Sequence, residues 1–469
     1  MTSPATKPAW HQVLNTPGQE FPPTNLSILD GAIPPDLSGT LYRNGPGRLE
    51  RGGETVGHWF DGDGAILAVQ FAGGQAQATY RYVQTAGYQA EAERDRFLFP
   101  NYGRQAPGPL WNNWLRPVKN AANTSVIVWG DRLLALWEGG QPHALDLDTL
   151  ATYGIDSLGL DNTPFSAHPK RDPHSGEIYN FGVTPGPKNT LHLYRHNAQG
   201  QLLKQGTFAL DGLPVLHDFC LAGRYLVFFV SPVRVNLLTV IFGQGSYCDA
   251  MAWRPELGTQ ILIFDRDTLT LVTQKTADPW YQWHFSNGCE HPNGTVQIDY
   301  VHYDDFTTNQ YLREVPSGVI RHPAPGSLRS LCLDPRTGAI IHQTTLCETW
   351  CEFPTVHPEQ VGQPWARSHF SVKVGPNPEQ ELYRALGTCD RTTDTLTITE
   401  LGPHHYPSEP VYIPNPTGPD SLITVVYDSH THQSEVWLYH SDDITAGPIC
   451  RLALPQPIPH SFHGIWRVQ

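Results

Sequence analysis

Five stretches of this 469-residue chain end in the same way, with an apolar run, then Asp or Asn, then a turn residue. They are Ala144-Leu145-Asp146-Leu147-Asp148-Thr149, Leu193-Tyr194-Arg195-His196-Asn197, Ile261-Leu262-Ile263-Phe264-Asp265, Leu331-Cys332-Leu333-Asp334-Pro335 and Val436-Trp437-Leu438-Tyr439-His440-Ser441-Asp442. Each reads as a strand running into a tight hairpin, because Asp and Asn side chains accept hydrogen bonds from backbone amides just downstream and so bend the chain. They stand about fifty to seventy residues apart or more, an irregular spacing that suits propeller blades of roughly fifty residues carrying insertions. A long amphipathic helix is hard to find anywhere. The expectation is an all-β chain, a β-propeller with its insertions piled on one face.

Bulk composition agrees with one large unit. Gly 42 and Pro 42 are spread along the chain and gathered into no linker, so a single domain over 1–469 is expected, with 1–25 as an irregular N-terminal segment. The formal charge of -14 argues against nucleic acid as a partner. Eight cysteines form no CxxC pair, and Cys347-x3-Cys351 lacks a second pair to complete a zinc site, so they read as reduced and mostly buried. The first eighteen residues have no apolar core of a signal peptide, and no apolar run approaches the ~20 residues of a membrane span. A cytoplasmic protein is expected.

Two insertions break the acidic pattern. Residues 96–130 contain no Asp or Glu but place Arg96, Arg104, Arg116 and Lys119 among Phe97, Phe99, Trp111 and Trp114. Residues 219–248 are also free of acids, and within them 235–242 is apolar without strand-like alternation. Residues 225–230 read as a core strand. The others are either buried or a surface that dips into a bilayer, since aromatics beside basic residues suit a membrane interface.

Histidines carry the chemistry. His404-His405 and His430-x-His432 sit in polar, turn-like surroundings and read as solvated hairpins. Isolated histidines in apolar or Pro-bounded settings differ: Ser166-Ala167-His168-Pro169, Leu216-His217-Asp218-Phe219, Trp283-His284-Phe285-Ser286-Asn287 and, near the end of the chain, Ser461-Phe462-His463-Gly464-Ile465-Trp466. A buried imidazole needs a partner for each ring nitrogen; a metal with a carboxylate supplies them, and so does a backbone carbonyl. Inner strands of successive blades point at one axis, so a propeller could bring these four distant positions together.

With Gly39-Thr40-Leu41-Tyr42-Arg43-Asn44-Gly45-Pro46-Gly47, His58-Trp59-Phe60-Asp61-Gly62-Asp63-Gly64 and Trp137-Glu138-Gly139-Gly140-Gln141-Pro142-His143, these contexts resemble the carotenoid cleavage oxygenases, and within them the cyanobacterial apocarotenoid oxygenases. The resemblance runs from about residue 30 to the C-terminus. It implies a seven-bladed β-propeller with a dome of loops and short helices over an iron-bearing face, and one non-haem Fe(II) per chain. The iron ligands it implies are His168, His217, His284 and His463, with Glu138, Glu352 and Glu409 behind them. Thr124 falls where the family places a small residue against an open position of the metal. Two departures are local: Ala65 stands where methionine is common, and Gly288 where alanine usually follows the asparagine.

Imidazoles suit Fe(II), and carboxylates behind them would offset the metal charge and fix the ring tautomers. Trp137, Trp283 and Phe353 adjoin these residues and are expected to line a tunnel for a conjugated chain. The expected reaction is cleavage of one conjugated double bond of a carotenoid or apocarotenoid by O2 into two carbonyl products, with retinal from a β-apocarotenal as the specific case. The partners expected are a lipophilic polyene and a membrane surface that the protein visits peripherally. Two rivals stand beside it: cleavage of a stilbene-type double bond, for which Tyr102 and Lys119 could engage a phenol, and a propeller that binds ligands without catalysis.

Overall fold

A computed structural model describes residues 7–416 and 418–468. The Asp-terminated runs are hairpins, and the reason is visible at each turn. Asp146 Oδ1 accepts the amides of Asp148 and Thr149, Asp265 Oδ1 those of Asp267 and Thr268, and Asp334 Oδ1 that of Arg336. These bonds replace the ladder partners that the chain loses as it reverses.

The resulting strands form a β-propeller. Three sheets are four-stranded antiparallel meanders, starting at Ser125–Trp129, Lys170–Arg171 and Cys351–Val356. An eight-stranded sheet runs from Thr270–Ala277 at one edge to Ile340–Cys347 at the other, and its halves meet at one parallel pair, Ala222 with Gly288. That contact explains the glycine at 288: a Cβ there would lie 2.4 Å from Cys220 Sγ. Between sheets the inward faces pack dry, as where Tyr179, Phe181 and Leu193 meet Leu226, Phe228 and Phe264.

The remaining two large sheets join the ends of the chain. Gly464–Val468 pairs antiparallel with Gly39–Arg48, in the register Tyr42 with Ile465 and Arg43 with Gly464. Ser27–Gly31 pairs with Cys450–Ala453. The irregular segment expected over 1–25 is corrected in part. Ala9–Asn15 is a 3₁₀ helix that buries Trp10, Val13 and Leu14, and Phe21–Asn25 is an edge strand on Gln75–Tyr82; residues 1–6 lie outside the described residues. The apolar periodicity of this segment is short, so only its burial against the body of the protein makes it regular.

Short helical insertions interrupt the run of strands. They include the helices Ala86–Arg94, Leu237–Ile241 and Thr307–Glu314. Among the described residues no helix is long and apolar enough to cross a membrane. All eight cysteines are free, and all but Cys332 are buried.

Candidate metal centre

His168, His217, His284 and His463 come from four different sheets or sheet halves, yet one ring nitrogen from each lies within 4.8 Å of the other three. Each precedes an inner strand, Lys170–Arg171, Cys220–Ala222, Phe285–Glu290 or Gly464–Val468, so the propeller axis is what collects them. Side-chain bonds brace three of these segments. Ser166 Oγ donates to Asn180 Oδ1 at 2.6 Å, and Asn180 Nδ2 donates to the Ser166 carbonyl at 2.9 Å, clamping the segment before His168. Asp218, buried beside His217, accepts from the amides of Phe219 and Phe285 and from Lys170 Nζ at 2.8 Å, and so ties three of the four histidine segments together.

Three of the rings turn their second nitrogen to a carboxylate. His217 Nδ1 meets Glu138 Oε1; His284 Nδ1 lies 2.5 Å from Glu352 Oε2 and His463 Nδ1 2.8 Å from Glu409 Oε1. A carboxylate on Nδ1 holds the proton there and leaves the Nε2 lone pair free. The Nε2 atoms then face one another, 3.0 Å apart between His168 and His217 and 3.2 Å between His217 and His284. Lone pairs this close repel unless a cation lies between them. For bonds of about 2.1 Å to a first-row metal, adjacent ligands at right angles stand about 3.0 Å apart, so the donor set fits such an ion.

The electrostatics favour the neutral ring at His168 and His463. Burial pushes His168 well below the ordinary imidazole range, and the neighbouring His217 and His463 push it the same way. Burial also lowers His463, with Glu409 offsetting only part. At His284 burial opposes protonation, but the Glu352 carboxylate prevails and raises the ring. Burial would raise Glu409, yet His463 and Arg43 outweigh it and hold the carboxyl below its ordinary value.

The carboxylates are themselves held. Tyr303 donates to Glu352 Oε1 at 3.0 Å, and the Phe353 amide to Glu352 Oε2 at 2.7 Å. Gly464 N donates to Glu409 Oε2 at 2.8 Å. Arg43, wholly buried, donates to the carbonyls of Glu409 and Phe462 and to Ser461 Oγ, so it fastens the chain on both sides of the His463–Glu409 pair. Arg43, Asp218 and Tyr303 were not singled out by sequence as part of the centre. Each could have been suspected from one signal, a charge or hydroxyl beside apolar residues in or next to a strand, which has to be paired when buried.

Two cavities meet at the centre, sharing Phe60, Thr124 and His217. The outer one, about 530 Å³, is lined by Trp137, Leu115, Arg116, Leu237, Val240 and Ile241 among others. The inner one, about 50 Å³, is lined by Trp283, Phe353, His284 and His463, with Tyr311 and Lys373. All three aromatics expected at the tunnel therefore face one cavity or the other. Phe353 has φ 57, rare for a bulky side chain, and its ring lies 5.5 Å from that of His284 and 5.3 Å from that of His463. Thr124 is anchored by its amide to the Leu136 carbonyl at 3.1 Å, beside the buried Asn123.

Two residues weighed for a phenol part company. Tyr102 lines the outer cavity and donates to Asn309 Oδ1 at 2.9 Å. Lys119 does not face the cavities: its Nζ bonds Asp63 and Glu91, both at 2.7 Å, in a buried cluster that also holds Arg51. A buried ammonium needs carboxylates, and two stand ready on neighbouring elements.

The acid-free segments surround the outer mouth and touch. Trp114 Nε1 donates to the Phe242 carbonyl at 3.0 Å, and Leu115 N to that of Ile241 at 3.3 Å. Leu115 is 82% exposed, Trp111 65%, Leu238 62%, and Leu110, Trp114 and Phe242 are also exposed, far more apolar surface than isolated side chains would give.

Comparison with known proteins gives one consistent result. A family profile described as retinal pigment epithelial membrane protein, RPE65, matches residues 14–468. The apocarotenoid-15,15'-oxygenase of Synechocystis sp. is 34% identical over 461 residues, covering 93% of this chain and 92% of that protein. Resveratrol cleavage oxygenase 1 of Aspergillus fumigatus is 26% identical over 473 residues, covering 93% and 91%. The structure of cobalt-substituted Synechocystis ACO superposes with a TM-score of 0.90 at 32% identity, covering 98% of each chain.

Proposed function

Because the chain belongs to the RPE65 family of carotenoid cleavage oxygenases, we propose that it is a non-haem iron dioxygenase. It splits one conjugated carbon–carbon double bond of an apocarotenoid with O2, giving two carbonyl products, with a β-apocarotenal to retinal as the reaction to test first. The observation that carries this reading is the set of four histidines within 4.8 Å at the junction of two aromatic-lined cavities.

In this reading His168, His217, His284 and His463 hold one Fe(II). Iron(II) bound there would supply an electron-donating centre at which dioxygen becomes reactive. Everything else is the work of this chain. Glu138, Glu352 and Glu409 orient three rings and offset the metal charge. Thr124 lines both cavities at their junction, where its side chain would limit access to the bound ion. Trp137 in the outer cavity, and Trp283 and Phe353 in the inner one, present faces and edges to a flat polyene and exclude water from it. The whole chain acts as one domain. The two halves of the eight-stranded sheet count as separate blades, which with the five other large sheets makes seven.

A polyene resides in a bilayer and not in water, so the exposed rim of Trp111, Trp114, Leu115, Leu238 and Phe242 is read as the face that docks on a membrane from the cytoplasmic side. Docking rests on apolar burial, because the net charge of -14 opposes anionic lipid. The free cysteines suit a reducing compartment.

Iron-loaded protein should be incubated with β-apocarotenals and hydroxystilbenes and the products identified by mass. Apocarotenal cleaved to two carbonyl fragments that carry label from ¹⁸O₂ is the expected result. Stilbene cleavage alone would transfer the reading to that substrate class, and no cleavage of either by iron-replete protein would end it.

A further inference from the structure

Lys373 follows the strand Arg367–Val372 and is only 3% exposed. Its backbone is tied, with the amide donating to the Trp350 carbonyl at 2.8 Å. Its Nζ is not: among the described residues it has no hydrogen-bond partner. The amine lies instead within an aromatic box, 3.8 Å from the centre of the Tyr311 ring, 5.5 Å from Trp350 and 5.8 Å from Tyr383. The Tyr311 hydroxyl is likewise buried without a partner. Both residues line the inner cavity that His284 and His463 also line.

The contrast with Lys119 is instructive. That lysine is equally buried but holds two carboxylates at 2.7 Å, as buried ammonium groups ordinarily do. Ring faces supply part of the attraction a cation loses on burial, but they accept no directed hydrogen bond of ordinary strength. Burial pulls the Lys373 amine down to about 7, and Glu381 offsets only part of this. Protonated or neutral, the group keeps its donors in a cavity lined mainly by aromatic and apolar side chains, where the oxygens of the one carboxylate, Glu352, are already taken by His284, Tyr303 and the Phe353 amide. Only a hydrogen-bond acceptor brought in from outside satisfies it.

We propose that Lys373, with Tyr311 beside it, recognises an oxygen atom, carbonyl or hydroxyl, on the leading end of an otherwise apolar conjugated substrate. The inner cavity is short, so a chain that passes the metal centre meets Lys373 with its terminus and not with its middle. The site selects substrates by end group and sets how far the chain advances, and hence which double bond stops at the metal. This rests on the reading of the two cavities as one substrate tunnel.

The test is equilibrium binding to the iron-loaded protein under nitrogen, where no turnover occurs, followed by quenching of tryptophan fluorescence. The probes are a β-apocarotenal, the matching alcohol and the matching hydrocarbon. The wild type should bind the two oxygenated probes about ten- to a hundredfold more tightly than the hydrocarbon, the range for a hydrogen bond to a charged group. Lys373→Met should bring the three affinities to within about twofold, and Lys373→Gln, which keeps a donor, should restore part of the preference. Tyr311→Phe removes one hydroxyl from a box that otherwise keeps its shape; it should cost several-fold for the oxygenated probes alone, and it serves if the lysine variants melt too low to titrate. Equal binding of all three probes by the wild type would overturn the role of Lys373 and leave the tunnel reading standing. Failure of all three to bind would overturn the tunnel reading itself. A borohydride-stable adduct of the aldehyde on Lys373 would also overturn the proposal, since the contact would then be an imine.

Discussion

Removing residues 462–469 and replacing His463 alone should damage this protein in different ways. The truncation deletes one partner of the strand pair that joins the two ends of the chain, five residue pairs from Gly39 with Val468 to Arg43 with Gly464. It also strips two large buried side chains, Phe462 at 4% exposure and Trp466 at 9%. Loss of a buried Phe or Trp costs about 3 to 5 kcal/mol each, so these two alone remove about 6 to 10 kcal/mol. Whole-domain stabilities are about 5 to 15 kcal/mol, so little or no folding free energy should remain. Ile465 adds less than its sequence setting suggests, because it is only half-buried. His463→Ala removes one imidazole from the site. Glu409 keeps the Gly464 amide, and Arg43 keeps the carbonyls of Glu409 and Phe462, so the cost is that of one uncovered buried carboxylate oxygen, about 1 to 3 kcal/mol. The point variant should therefore melt cooperatively a little below wild type and carry little iron. The truncated chain should aggregate or melt without a transition. Iron content by atomic emission and melting by circular dichroism separate the two, and a truncated protein that melts like wild type with full iron would refute the reasoning.

Glu352→Gln leaves the His284 tautomer unfixed and should lower iron affinity or turnover about 10- to 100-fold, read by titration with a competing chelator; unchanged affinity would detach Glu352 from the centre. Arg43→Met leaves the Glu409 and Phe462 carbonyls buried and unpaired, about 2 to 6 kcal/mol together, so the melting midpoint and iron retention should fall in step. Lys119→Met leaves Asp63 and Glu91 with Arg51 as their one remaining cation and should cost about 3 to 5 kcal/mol with the product profile unaltered; a selective loss of stilbene binding at unchanged stability would return Lys119 to the substrate. Serine at Trp111, Trp114, Leu115, Leu238 and Phe242 together should abolish co-sedimentation with neutral phosphatidylcholine liposomes while leaving the melting midpoint within a degree or two, and unchanged sedimentation would clear these residues of the interface.

What the sequence determines here is local chemistry. An Asp or Asn after an apolar run makes a hairpin whatever surrounds it, since the bonds of Asp146, Asp265 and Asp334 span only two or three residues. The family resemblance carried by motifs ordered along the chain implies the four histidines and three glutamates, because the identity of a donor atom is written in its residue type. Partnership across hundreds of residues is not written there. Nothing near Lys119 or Lys373 in the chain tells that one holds two carboxylates and the other, among the described residues, none, for each environment is assembled from elements distant in sequence. The same holds for Arg43, whose partners stand at 409, 461 and 462. The N-terminal segment that reads as irregular is regular because the body of the propeller covers it, and Trp10 is buried there completely. The two cavities, the exposed rim and the choice of which buried amine lacks a hydrogen-bond partner belong to packing, where desolvation decides and sequence distance does not enter.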